Sequence, residues 1–290
     1  MSRGHSGREQ EAKRAAEFVQ RRLMEARHPT IRDTRPWVGL VLGTGWGDAF
    51  TLHDSVNIPF GDIPGFEALG ELAGHKRVLE VGYIDAERTT PPVAVLRGRV
   101  HMNEDPRDPA VPKMVRLQIA MLCELNVKKL VLTCAAGSLV EMFAVGDLVF
   151  MQSFVMSGGH EEMPLWGGEF VSPEDALAIE WRVLACEAAE RAELVLHSTG
   201  NHAYVRGPHF EGRTHDKGNL RKLGATTVGM SVKPECCVAA LYGARAMGIA
   251  FITNDAVESH DHETNVARAK ASSAKLGAFL EHVVTSLPQA

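Results

Sequence analysis

The sequence predicts a single α/β domain in which a central mixed β-sheet is flanked by helices. Three observations carry this. Apolar runs of strand length recur along the chain, amphipathic stretches of helical period alternate with many of them, and polar or glycine-rich clusters fall where those runs end. At 290 residues the chain is long enough to bury one large core. No internal repeat, low-complexity tract or linker divides it, so residues 8–290 read as one domain, preceded by a disordered 1–7.

Residues 8–28 predict the first helix, with Ala12, Ala15, Val19, Leu23 and Ala26 at three- and four-residue steps and His28-Pro29 as its stop. Trp37–Leu42 is a short apolar run that halts at Gly43, as a buried strand feeding a glycine loop does. Further strand-length runs are Arg77–Tyr83, Val93–Leu96, Leu130–Thr133, Leu148–Met151, Leu194–His197, Thr226–Met230 and Ile249–Thr253. Helical patterns cover Pro112–Leu125, Pro173–Ala192, Pro234–Met247 and Asn265–Leu287, the third opening on Pro-Glu, a favoured first turn. The stretch 158–172, rich in glycine, reads as a long loop, and such loops inside compact domains are often functional.

Composition narrows the class of function. Hydrophobic residues make up 45% and charged residues 23%, the balance of a globular protein. A net charge of −5 without a basic cluster argues against a nucleic-acid surface. No run approaches the roughly 18 apolar residues of a membrane span, and residues 1–35 lack the apolar segment of a secretory leader. Five cysteines (Cys123, Cys134, Cys186, Cys236, Cys237), without a Cys-x-x-Cys spacing, fit reduced thiols in a cytoplasmic protein. The 13 histidines include no His-Glu-x-x-His spacing, so no metal site is expected.

Six clusters could carry chemistry. Gly43-Thr44-Gly45-Trp46-Gly47 follows a strand; its backbone N–H groups and the Thr44 hydroxyl suit an anion, and a plain turn is an equal reading. Its spacing is neither the dinucleotide fingerprint nor a P-loop, which leaves a nicotinamide oxidoreductase remote. In Gly98-Arg99-Val100-His101-Met102, Arg99 and His101 share one side of an extended chain and could donate to a tetrahedral oxyanion. The small residues of Thr133-Cys134-Ala135-Ala136-Gly137-Ser138 permit close approach to the main chain. Gly207-Pro208-His209-Phe210-Glu211-Gly212 sets a carboxylate beside an aromatic ring, as a flat heterocycle would need. Val228-Gly229-Met230-Ser231 runs into the helix start Lys233-Pro234-Glu235, and Ile252-Thr253-Asn254-Asp255 ends a strand on a residue that both donates and accepts. Polar motifs at strand carboxyl ends are the layout of an open α/β ligand crevice.

In their order, these motifs resemble the trimeric purine nucleoside phosphorylase and methylthioadenosine phosphorylase family, over residues 36–284. The resemblance is carried by GTGWG, IPGF…GH, GRVHM, TCAAGSL…VGD, GPHFEG, LGATTVGMSVKPE and ITND. It implies a homotrimer with sites near the subunit interfaces, and inorganic phosphate as co-substrate with no cofactor. It also implies roles. Thr44, His75, Arg99, His101, Ala135 through its N–H, and Ser231 would bind phosphate. Asn103, Phe210, Glu211, Met230, Asn254 and His262 would hold the nucleoside, and His101, Glu211 and Asn254 would act in catalysis. The implied reaction is phosphorolysis of a purine nucleoside to the free base and a pentose 1-phosphate.

Some positions depart from the family pattern. Asn103 stands where a ribose-lining tyrosine is usual, Cys134 replaces Asn or Thr, Lys233 takes an uncharged place, and the loop near Gly159-His160 lacks an aromatic. Glu211 with Asn254 resembles the 6-oxopurine pattern suited to inosine and guanosine. Gly137-Ser138-Leu139, Thr44 and Asp255 lean toward the methylthioadenosine branch. A family member that binds nucleosides but scarcely turns them over is the reading of a different class.

Overall fold

The computed structural model describes residues 3–26, 36–49, 51–66, 76–105, 107–156, 163–207, 211–212, 215–255, 267–268 and 270–288. Helix α1 spans Arg3–Glu25, and so begins inside the 1–7 stretch that the sequence pattern leaves outside the domain. It is followed by strands β1 (Val38–Leu42), β2 (His53–Pro59), β3 (Val78–Tyr83) and β4 (Val93–Arg97). Then come α2 (Ala110–Glu124), β5 (Lys129–Ser138), β6 (Leu148–Val155), α3 (Arg182–Arg191) and β7 (Leu196–Tyr204). The chain closes with α4 (His215–Lys222), β8 (Thr227–Gly229), α5 (Lys233–Leu241), β9 (Arg245–Asn254) and α6 (Ser273–Ser286).

Among the described residues the nine strands form one mixed sheet in the order β2-β3-β4-β1-β5-β8-β7-β6-β9. β1 lies between β4 and β5, parallel to both, with Val41 opposite Leu96 and Leu132. β9 also pairs in parallel with β5, so the second half of the sheet curls into a ring of β5, β8, β7, β6 and β9. The carboxyl ends of β1, β4, β5 and β9 therefore open on the same edge.

Period-two alternation sorts the β1 side chains into two cores. Val41 faces the layer of α1, α2 and α5, while Leu40 and Leu42 face the layer of α3 and α6. Burial on both faces explains why β1 reads as an unbroken apolar run.

Three elements differ from the sequence expectation. Among the described residues β2 is an edge strand paired only with β3, and Ile58 is its one buried residue, so it carries little apolar signal. The predicted helix 173–192 is broken: two 3₁₀ turns, Pro173–Ala176 and Ile179–Trp181, precede α3. Between them Leu177 turns extended and bridges Ala246, with Ala178 N–H donating to Ala246 O at 2.8 Å. The predicted helix 234–247 stops at Leu241 because Gly243 adopts φ +63°, a left-handed C-terminal conformation, and β9 begins at Arg245. Helix α4 had no apolar period to announce it: only Lys217 and Leu220 face inward.

Candidate functional site

The glycine loop leaves β1 held by several anchors. Gly43 N–H donates to Thr133 Oγ1 at 3.1 Å, and that hydroxyl donates to Val41 O at 3.2 Å. A Cβ on Gly43 would lie 2.6 Å from Thr133 O and 3.2 Å from Arg99 Nη2, so no side chain fits there. Trp46 is fully buried and meets Phe251 and Phe279 edge-on, both at 6.4 Å, which pins the loop to the core and leaves Thr44 partly exposed. Arg97 Nη1 donates to Gly47 O at 2.6 Å while its Nε pairs with Glu80.

Arg99 is 0% exposed. Its Nη1 pairs with Glu235 Oε1 at 2.7 Å, and Nη2 donates to Val41 O at 3.2 Å and to Thr133 O. The guanidinium fork thus ties the ends of β1 and β5 to the first turn of α5. The sequence pattern suits the Arg99 fork to a tetrahedral oxyanion. Here much of it serves main-chain oxygens and Glu235, and its charge is matched by that carboxylate. Glu235 sits where an acid also complements the helix N-terminus, and its Oε2 has no hydrogen-bond partner among the described residues.

Just before that helix, Val232 adopts φ +74°, ψ −50°, and Lys233 N–H donates to Ser231 O at 3.0 Å. This is a γ-turn with a β-branched residue at its centre, a strained arrangement of the kind that clusters at ligand sites. It holds Ser231 against Cys134. Burial pushes the Cys134 thiol up to about 12, opposed by the Arg99 charge and assisted by Glu235, with a hydrogen bond to Ser231 lowering it. Cys134 is therefore a packing thiol, and the contacts bring the Arg99, Cys134-Ala135 and Ser231 motifs to one place.

His101 is held by a turn. Its N–H donates to Glu104 Oε1 at 2.8 Å, and Glu104 Oε2 is paired with Arg77 Nη2 at 2.7 Å in a largely buried bridge. Asn103, in the same turn, places Nδ2 3.6 Å from Met230 Sδ, while its Oδ1 is buried without a partner among the described residues. Gly207 closes this group, since a Cβ there would lie 2.8 Å from Asn103 Nδ2.

Asn254 ends β9 beside the third motif, its register partner being Gly137. A Cβ on Gly137 would fall 2.9 Å from Asn254 Nδ2. That Nδ2 is buried and has no partner among the described residues, while Oδ1 accepts from Thr253 Oγ1 at 3.4 Å. Glu211 is partly buried, and burial raises its pKa, with a backbone hydrogen bond and Lys217 lowering it and Asp216 raising it. His75, Phe210 and His262 lie outside the described residues. Glu104, Arg77 and Lys217 carry no motif of their own, and Glu235 falls in the Lys233-Pro234-Glu235 motif without being read there as a site residue. The Pro-Glu helix start was the only signal for any of them.

A phosphorylase superfamily model matches residues 38–285, most of the chain. The chain belongs to the phosphorylase superfamily. The chain is 31% identical over 281 residues to the purine nucleoside phosphorylase of Mycobacterium leprae, covering 94% of this chain and 95% of that protein. It is 30% identical over 278 residues to purine nucleoside phosphorylase 1 of Bacillus subtilis, covering 91% and 94%. Its fold matches Schistosoma mansoni purine nucleoside phosphorylase in complex with inosine at TM-score 0.82, with 24% identity over 96% of this chain and 97% of that one.

Proposed function

We propose that the protein catalyses phosphorolysis of purine nucleosides, with preference for 6-oxopurines such as inosine and guanosine. The observation that carries it is Asn254: a buried amide donor without a protein partner among the described residues, set against the glycine of the third motif. An unsatisfied buried amide is costly, and a heterocycle edge would satisfy it. The relatives' names and the inosine and guanosine complexes of the Schistosoma mansoni protein support the same reading.

In the reaction a phosphate oxygen bonds to C1′ of the pentose as the C1′–N9 bond breaks, and the bond pair stays on the purine, which later takes a proton. Thr44, His75, Arg99, His101, the Ala135 N–H and Ser231 hold the phosphate, an arrangement that works by positioning and preorganised dipoles. Asn103, Phe210, Met230 and His262 pack on the nucleoside, and Glu211 and Asn254 hydrogen-bond the purine as it gains negative charge. Phosphate is the co-substrate and no cofactor takes part. The active assembly is a homotrimer acting in the cytoplasm, where its cysteines stay reduced.

The test is base release from inosine, guanosine, adenosine and methylthioadenosine, each with and without phosphate. Phosphate-dependent release of hypoxanthine and guanine is expected. Adenine from methylthioadenosine alone would move the protein to the other branch of the family. Saturable binding without release from any of the four would make it a nucleoside-binding protein.

A further inference from the structure

Gln118 sits in the middle of α2 and is 0% exposed, the one amide among the otherwise apolar buried residues of that helix. Glutamine is mostly an exposed residue, and an apolar side chain would fill the place without the cost of desolvating an amide. Both of its polar atoms serve a single residue. Oε1 accepts from Val100 N–H at 2.9 Å, and Nε2 donates to Val100 O at 3.2 Å.

Val100 lies between Arg99 and His101, past the end of the sheet. β4 ends at Arg97, and Gly98, at φ +99°, donates its N–H to Leu42 O at 3.1 Å. Val100 is 1% exposed and belongs to the core beneath α1, α2 and α5, so its main-chain groups need protein partners. Gln118 does for Val100 what a neighbouring strand would do. Its Oε1 holds the peptide plane that leaves Arg99, and its Nε2 holds the plane that enters His101. The far edge of that second plane is held as well, by His101 N–H donating to Glu104 Oε1 at 2.8 Å. With both planes held, φ and ψ of Val100 are held, and with them the relative orientation of the Arg99 and His101 backbones.

We infer that Gln118 is a positioning residue of the phosphate site: its amide clamps Val100 and so sets the spacing of the Arg99 and His101 side chains. The inference rests on the phosphorolysis reading given above. A tetrahedral anion is held by donors at fixed separations, and a small misplacement caused by a residue remote from the chemistry is costly. Because Gln118 acts through Val100, its loss should fall on phosphate and spare the nucleoside.

The experiment compares wild type with Gln118→Met and Gln118→Glu. Methionine keeps the length and removes both hydrogen bonds. Glutamate keeps the shape and the acceptor for Val100 N–H, and donates to Val100 O only while its carboxyl is protonated. Two readouts are taken: KM for phosphate and for inosine, and calorimetric affinity for inorganic phosphate. Gln118→Met should weaken phosphate by both measures roughly 10-fold, with KM for inosine unchanged. The phosphate affinity of Gln118→Glu, relative to wild type at the same pH, should recover as pH is lowered, while the deficit of Gln118→Met stays constant. Unchanged phosphate affinity, equal losses for phosphate and inosine, a Glu variant whose ratio does not move with pH, or failure of both variants to fold would make Gln118 a packing residue and overturn the inference. Wild-type protein that binds phosphate yet releases no base would sink the phosphorolysis reading. The phosphate affinities would still decide the role of Gln118.

Discussion

His202 on β7 makes acid stability a sharp test of this interior. Its ring is 0% exposed, with Nδ1 3.0 Å from Thr227 Oγ1, Phe154 edge-on at 6.3 Å, and Nε2 without a partner among the described residues. Burial, and then the Lys233 charge, lower its pKa from 6.5 to about 3. The native imidazole is therefore neutral where the unfolded one is protonated. Between pH 6.5 and pH 3 the unfolded state binds the extra proton, so stability rises with pH and is lost as pH falls through that window. Moving from pH 8 to pH 5 should cost about 2 kcal/mol from this group alone. That figure depends on the unfolded pKa and holds for any native value well below 5. His202→Gln keeps a partner for the Thr227 hydroxyl and cannot titrate. Urea unfolding of both proteins at each pH, at one protein concentration, should show wild type losing about 2 kcal/mol more than the variant. Equal losses would mean that the native ring accepts a proton at pH 5, and the account of its burial would be wrong.

Other outcomes follow from the same geometry. Glu235→Ala leaves Arg99 buried without its carboxylate and should destabilise the protein by about 3–5 kcal/mol, read as a fall in the denaturant midpoint. Arg77→Met releases Glu104 from the His101 turn and should raise KM for phosphate roughly 3- to 10-fold while sparing KM for inosine, since a loosened donor costs only part of a charged hydrogen bond. A change in nucleoside KM alone would refute that tether. Glu211→Gln should cut inosine turnover by about 10²–10³-fold, and near-normal turnover would remove its assigned role.

Strand β1 was legible because it is buried on both faces, and so were the runs that became β4 and β5. β2 and α4 were not, because an edge strand and a surface helix need few apolar residues. The ends of α5 and β9 were misplaced by a helical period that ran on past Gly243, whose left-handed backbone, rather than any loss of apolar residues, stops the helix. Among the candidate site residues, Thr44, Arg99, His101, Glu211 and Asn254 stood out because each falls in a short contiguous string beside a glycine or at a strand end. Arg77, Glu80, Glu104 and Glu235 did not, because a charged residue that serves another charged residue has no local pattern.

The sequence by itself determined the α/β class, the central strands, the motifs and their resemblance, since each rests on a period or a short contiguous string. Only the tertiary structure decided how those motifs are held. Arg99 meets Glu235 from 136 residues away, and Lys217 bridges the loop after Glu211 to the end of β9. Such partners are chosen by chain closure and by the cost of leaving buried charge unmatched, and neither leaves a trace in local sequence.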